Sequence, residues 1–74
     1  MINYLEHIEV NPEKRFGRPI IKGTRITVYD ILNLLANEQQ IEEIIDDFPE
    51  LTQANIKACL AYAADKENRL LIAS

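Results

Sequence analysis

Cysteine occurs once in these 74 residues, at Cys59, so no internal disulfide can form and no zinc site with two or more thiolates can be built. Histidine also occurs once, at His7, tryptophan is absent, and there are only two glycines and three prolines. Phosphate loops, nucleophile elbows and metal-ligand spacings are therefore missing, and no low-complexity segment interrupts the chain. No stretch approaches the roughly 18 apolar residues of a membrane span, and the first residues lack a basic start followed by an apolar run. The expectation is a protein of the reducing cytoplasm, neither exported nor embedded, with no metal and no cofactor.

What is present is an ordinary globular composition, 47 % hydrophobic and 27 % charged. The length predicts one domain over residues 1–74. A chain this short buries only about 60 % of its unfolded surface, so its stability should be modest and a partner subunit would help it. Charge is unevenly spread. Five of the eight bases, Lys14, Arg15, Arg18, Lys22 and Arg25, fall in one acid-free segment, whereas the net charge is −4. Residues 1–25 hold five bases and three acids; residues 26–74 hold three bases and nine acids. A polyanion would have to approach the first third.

Residues 7–10 alternate polar and apolar up to Asn11-Pro12, and a second extended piece, residues 19–22, ends at Gly23. They are predicted to pair as a short hairpin, with the basic arm at its exposed connection and Pro19 at an edge position; the arm and hairpin together cover residues 7–26. From Thr27 the spacing turns helical. Thr27 is a good N-cap with Asp30 three residues on, and Val28, Ile31, Leu32 and Leu35 mark one face of a helix running to about Ala36. Asn37 is predicted to take the left-handed C-cap conformation. Ile41, Ile44, Ile45 and Phe48 define a second short helix ended by Pro49. Thr52 caps a third, with Ile56, Cys59, Leu60 and Ala63 as its inward stripe. The helices span residues 27–66, and residues 67–74 form a tail that either continues the third helix or frays, and that includes the apolar Leu70-Leu71-Ile72.

Helix 2 places Glu42, Glu43, Asp46 and Asp47 on one outward face. These carboxylates do not converge on a point, which argues against a metal or an acid/base pair. Opposite Ile56 and Leu60, helix 3 carries Ala54, Ala58 and Ala61 beside Tyr62, a stripe small enough to let another backbone close. Cys59, on the inward stripe, and His7 lack the adjacent partner and exposure a nucleophile needs, so no enzymatic activity is expected. The basic segment reads equally as a phosphate-contacting arm with Phe16 between its cations and as an internal counterweight, Arg25 folding back on an acid near the helix start.

Three motifs in order, residues 17–28 (Gly-Arg-Pro-Ile-Ile-Lys-Gly-Thr-Arg-Ile-Thr-Val), 48–52 (Phe-Pro-Glu-Leu-Thr) and 56–63 (Ile-Lys-Ala-Cys-Leu-Ala-Tyr-Ala), resemble the bacterial family called domain of unknown function 433. The similarity spans roughly residues 7 to 66. It implies a mostly α fold: a three-helix, homeodomain-like helix-turn-helix behind a short N-terminal β-hairpin. The family's glycine-threonine-arginine element maps onto Gly23, Thr24 and Arg25, and its helix-turn-helix onto residues 41–64, with helix 3 as recognition helix. Two positions depart from it: Asn37-Glu38 where a glycine is usual, and Gln40 where a small hydroxyl residue commonly caps helix 2. Many members look like the antitoxin half of a toxin-antitoxin pair whose toxin is a PIN-like nuclease.

Taken together these features imply an antitoxin-like module, a homodimer, that neutralises a PIN-like nuclease and also contacts DNA. The DNA-binding candidates are Lys14, Arg15, Arg18, Lys22, Arg25, Gln53, Asn55 and Lys57. The partner-binding candidates are Glu42, Glu43, Asp46, Asp47, Ala54, Ala58, Ala61 and Tyr62. Two alternatives stand beside this: a stand-alone DNA-binding regulator, and a structural dimerisation or adaptor domain.

Overall fold

The computed structural model describes residues 3–73, with side chains from Asn3 to Asn68. A two-stranded antiparallel hairpin leads into three helices: β1 (Ile8–Val10), β2 (Pro19–Ile21), α1 (Val28–Ala36), α2 (Ile41–Asp47) and α3 (Gln53–Ala73). Single 3₁₀ turns, Tyr4–Glu6 and Arg15–Gly17, precede each strand. The register pairs Ile8 with Ile21, Glu9 with Ile20 and Val10 with Pro19. Pro19, which has no N–H to donate, therefore sits at the end of the ladder, where a missing donor costs least.

The hairpin is tied to α1 by the turn between them. Gly23 (φ +79°) takes a left-handed conformation open to glycine at little cost, and a Cβ there would meet nothing within 4 Å, so the requirement is conformational and not spatial. The Thr24 hydroxyl donates to the Ile21 carbonyl (2.8 Å) and accepts from the Ile26 amide (3.0 Å), and the Ile21 amide donates to the Ile26 carbonyl (2.9 Å). Thr27, 1 % exposed, then caps α1 reciprocally: its hydroxyl accepts from the Asp30 amide (2.9 Å) and the Asp30 carboxylate from the Thr27 amide (3.3 Å).

The core joins one face of each element: Ile8 and Ile21 from the hairpin, Val28 and Ile31 from α1, Ile44 from α2, Leu51 from the following turn, and Ile56, Ala58 and Cys59 from α3. Branched aliphatics on a 3.6-residue period face inward as the spacing requires. Helix α3 is where the expected face is wrong. Leu60, assigned to the inward stripe, is 44 % exposed, whereas Ala58, assigned to the outer stripe, is fully buried. The cause lies outside the helix. Tyr4 from the N-terminal turn stacks edge-on against Tyr62 (centroids 5.4 Å, 87°) and its hydroxyl donates to the Asp65 carboxylate, so the buried arc rotates toward Ala58 and Tyr62.

The end of α1 holds the second correction. Asn37 is not left-handed (φ −92°); the following residue, Glu38 (φ +68°), is. The Glu38 amide bonds the Leu35 carbonyl (3.1 Å) and the Gln39 amide the Leu34 carbonyl (3.2 Å), a Schellman arrangement with a glutamate where glycine is cheapest. Asn37 instead spends its side-chain amide on the Asn33 carbonyl (2.8 Å). Helix α3 runs through to Ala73, so of the two options for the tail the continued helix holds over residues 67–73; the side chains of the apolar Leu70-Leu71-Ile72 lie outside those described.

Candidate functional site

The connection between β1 and β2 is held by its own backbone. The Asn11 side chain accepts from the Glu13 amide (2.9 Å) and its carbonyl from the Lys14 amide (2.9 Å); the Gly17 and Arg18 amides then bond the Lys14 and Arg15 carbonyls. Three consecutive residues are left-handed, Arg15 (φ +47°), Phe16 (φ +61°) and Gly17 (φ +77°). For the two non-glycine residues this costs about 1–2 kcal/mol each. Besides these backbone bonds, one side chain of the turn makes contacts outside it. An Arg15 guanidinium nitrogen donates to the Arg25 carbonyl (2.8 Å) and lies 3.4 Å from the Asp30 carboxylate, joining the hairpin tip to the glycine-threonine-arginine turn and to the first turn of α1.

That brace decides how the five basic residues are used. The fold-back of Arg25 onto an acid, one of the two readings of this segment, is not found among the described residues; Arg15 takes Asp30, and Arg25 contributes its carbonyl. Lys14 sits 3.9 Å from Glu9, both side chains about a third exposed, a pair worth little in water. Arg18, Lys22 and Arg25 are exposed and have no carboxylate partner among the described residues. The Arg18 guanidinium lies over the ring of Tyr29, 5.5 Å from its centroid. Phe16 is 98 % exposed, and Tyr29 60 %. The tip, the turn and the first turn of α1 thus present three unpaired cations with one bare ring and one ring backed by arginine.

The acidic face of α2 is equally open. Glu42, Glu43, Asp46 and Asp47 are all exposed, and none forms an ion pair among the described residues. Glu43 has one local task, accepting from the Gln40 amide (3.0 Å) to close the helix start that Gln40 fails to cap as a hydroxyl would.

At the start of α3 the candidates separate. Gln53, Ala54 and Lys57 are exposed. Asn55 is committed on both sides of its amide: its oxygen accepts from the Thr52 amide (2.9 Å), Thr52 in return accepts from the Asn55 amide (3.2 Å), and its nitrogen lies 3.2 Å from His7 Nδ1. It is a cap and a link to the hairpin, with each end of the side-chain amide already engaged once within the fold. Ala58 leaves the partner-binding set because it is buried; Ala61 and Tyr62 are half-buried, with Lys66 over the Tyr62 ring at 5.4 Å. The small-residue stripe is interrupted at its centre.

Burial raises the Cys59 thiol to about 11, since desolvation penalises the thiolate, which keeps it protonated and unreactive at neutral pH. Among the described residues no three histidine, cysteine or acidic side chains gather to hold a metal ion, and no helix is long and apolar enough to cross a membrane. Tyr29 escaped the sequence reading, because a tyrosine between a core valine and a capping aspartate carries no signal of its own. Its exposure and its arginine become visible only when the hairpin is placed against α1.

Comparison with known proteins adds a family and a relative. The chain is 29 % identical over 58 residues to an uncharacterized protein, y4eO, of Sinorhizobium fredii; the match covers 78 % of this chain and 26 % of that protein, so the chain spans about a quarter of its relative's length. No solved structure matches it. A family model described as protein of unknown function (DUF433) matches residues 8–63, which take in the hairpin, both exposed charged faces and the helical core; the chain belongs to that family.

Proposed function

We propose that this chain is a non-enzymatic, antitoxin-like helix-turn-helix module of the cytoplasm that binds and neutralises a PIN-like nuclease. The observation that carries the reading is the α2 face, with Glu42, Glu43, Asp46 and Asp47 exposed and forming no ion pair among the described residues. A nuclease groove must be cationic to hold a polyanion. A rigid helix bearing four carboxylates complements it, and such complementarity speeds encounter and selects partners. The test is reconstitution with the product of the adjacent reading frame, which the reading expects to be a PIN-like nuclease: a complex should elute together in size exclusion and be lost on combined Glu42, Asp46 and Asp47→Lys substitution. No co-elution, or a complex indifferent to that charge reversal, refutes the proposal.

A second reading has its own support. Arg18, Lys22 and Arg25 lack acidic partners among the described residues, and Gln53 and Lys57 are exposed at the start of α3, the position from which a recognition helix reads a major groove. Duplex binding upstream of its own reading frame would follow, serving autoregulation. With about four phosphate contacts, the affinity should fall with salt at a log–log slope of about −3 to −4. A slope near zero in a gel-shift titration refutes it.

A further inference from the structure

We infer that the hairpin tip is a single-stranded nucleic-acid site in which Phe16 stacks on an unpaired base while Arg18, Lys22 and Arg25 hold the flanking phosphates. The inference does not depend on the nuclease reading, and it uses neither α2 nor α3.

Phe16 is the starting point, because a phenylalanine left 98 % exposed gains nothing from folding. Its backbone is left-handed at φ +61°, and so is that of Arg15 before it. The fold thus bears strain at two adjacent residues and still leaves the ring in water. The backbone that carries the ring is held in place: the Arg15 guanidinium bonds the Arg25 carbonyl and faces Asp30, and the turn closes through the Gly17 and Arg18 amides. An aromatic carried outward on a fixed backbone needs no rearrangement of the turn to meet a ligand, and strain maintained by surrounding contacts points to use at that place.

The surroundings of the ring select the ligand. A protein interface centres on a contiguous apolar patch, whereas Phe16 is flanked in the chain by Arg15 and by Gly17-Arg18, and the nearest exposed aromatic, Tyr29, already has Arg18 over its face. Arg15 itself is spent on the brace. What remains is one free ring with Arg18 two residues on, and Lys22 and Arg25 exposed after β2 and in the turn that follows, none of the three with a carboxylate partner among the described residues. A ligand that is flat and apolar on one part and anionic on the next fits that combination, and a strand with unpaired bases is both. Bases within a duplex are already stacked on their neighbours and leave no face for Phe16.

The experiment is fluorescence anisotropy at low salt with a labelled oligo-U and oligo-dT of equal length, and with a duplex of the same length. The expected result is single-strand binding tighter than duplex binding, weakening with salt at a log–log slope of about −2 for three phosphate contacts. Phe16→Ala should bind about 5- to 140-fold more weakly without loss of helical circular dichroism, since the ring supports no packing. Phe16→Tyr should bind nearly as well as the parent. Substituting Lys57→Ala should leave single-strand binding unchanged while weakening any duplex binding, which separates this site from the α3 reading. Binding to neither strand type, duplex binding as tight as single-strand binding, or indifference to Phe16→Ala each overturns the inference. A difference between oligo-U and oligo-dT would assign the strand to RNA or DNA.

Discussion

Replacing Glu38 by glycine should stabilise this protein, although the substitution removes a side chain from a helix end. Glu38 is left-handed at φ +68°, and the two amides that close the Schellman turn, its own and that of Gln39, are already bonded to the Leu35 and Leu34 carbonyls. The substitution thus changes no hydrogen bond. For an L-residue the left-handed region costs about 1–2 kcal/mol, which glycine avoids. Against this stands the larger unfolded-state freedom of glycine, about 0.4–1 kcal/mol. The difference leaves a net gain of about 0.5–1 kcal/mol, or a rise in Tm of roughly 2–8 °C for a domain of this size. A second effect must be separated from it, because Glu38 puts a negative charge at the C-terminal end of α1, where the helix dipole disfavours it by about 0.3–1 kcal/mol. Glu38→Gln removes the charge and keeps the backbone strain. Thermal unfolding followed by far-UV circular dichroism should therefore rank glycine above glutamine and glutamine at or above the parent. Equal melting temperatures for the glycine and glutamine variants would refute the strain argument.

Two further outcomes follow from the same structure. Thr27→Ala should cost about 1–2 kcal/mol in urea unfolding, because the Asp30 amide loses its acceptor at a position only 1 % exposed, whereas Thr27→Ser keeps the hydroxyl and should cost about half as much or less; equal losses would remove the cap from the account. Cys59 should resist thiol reagents in the native state at neutral pH and react only as the protein unfolds. Between pH 9 and about 11 the folded state keeps its thiol proton while the unfolded chain has released it, so stability should decline as pH rises through that window; a flat profile there would contradict the burial of the thiol.

The elements were legible because their signals are local. Thr27 with Asp30, the i, i+3, i+4 aliphatics of α1 and α2, Pro49 after Phe48 and Thr52 before α3 each act within a turn of the chain, and the hairpin follows from extended pieces ending at Asn11-Pro12 and Gly23. The facing of α3 was not legible for a related reason. Alanine is a strong helix former whether buried or exposed, so Ala54, Ala58 and Ala61 carry no information about which side is inward. That was settled by Tyr4, which lies far away in sequence and adds a third wall against Tyr62. Asn37 was misplaced by one residue because C-cap preference is a bias among residue types, and the length of α1 set by its packing placed Glu38 at the left-handed position.

For the candidate site, composition indicated where the charge lies but not how it is spent. Arg15 and Arg25 are interchangeable in a charge count, and by sequence position alone Arg25, five residues before Asp30, is the more obvious partner. The left-handed turn at Arg15 decides between them: it swings that side chain across to the α1 start, so its guanidinium meets Asp30 and the Arg25 carbonyl together, and Arg25 is left facing solvent. The brace therefore commits one cation to Asp30 and the Arg25 carbonyl and, in the same geometry, fixes the backbone that carries the ring after it. On this account Arg15 is a positioning residue, whose replacement should loosen the hairpin tip and reduce what Phe16 can contribute, while the charge available to a ligand, carried by Arg18, Lys22 and Arg25, stays as it was.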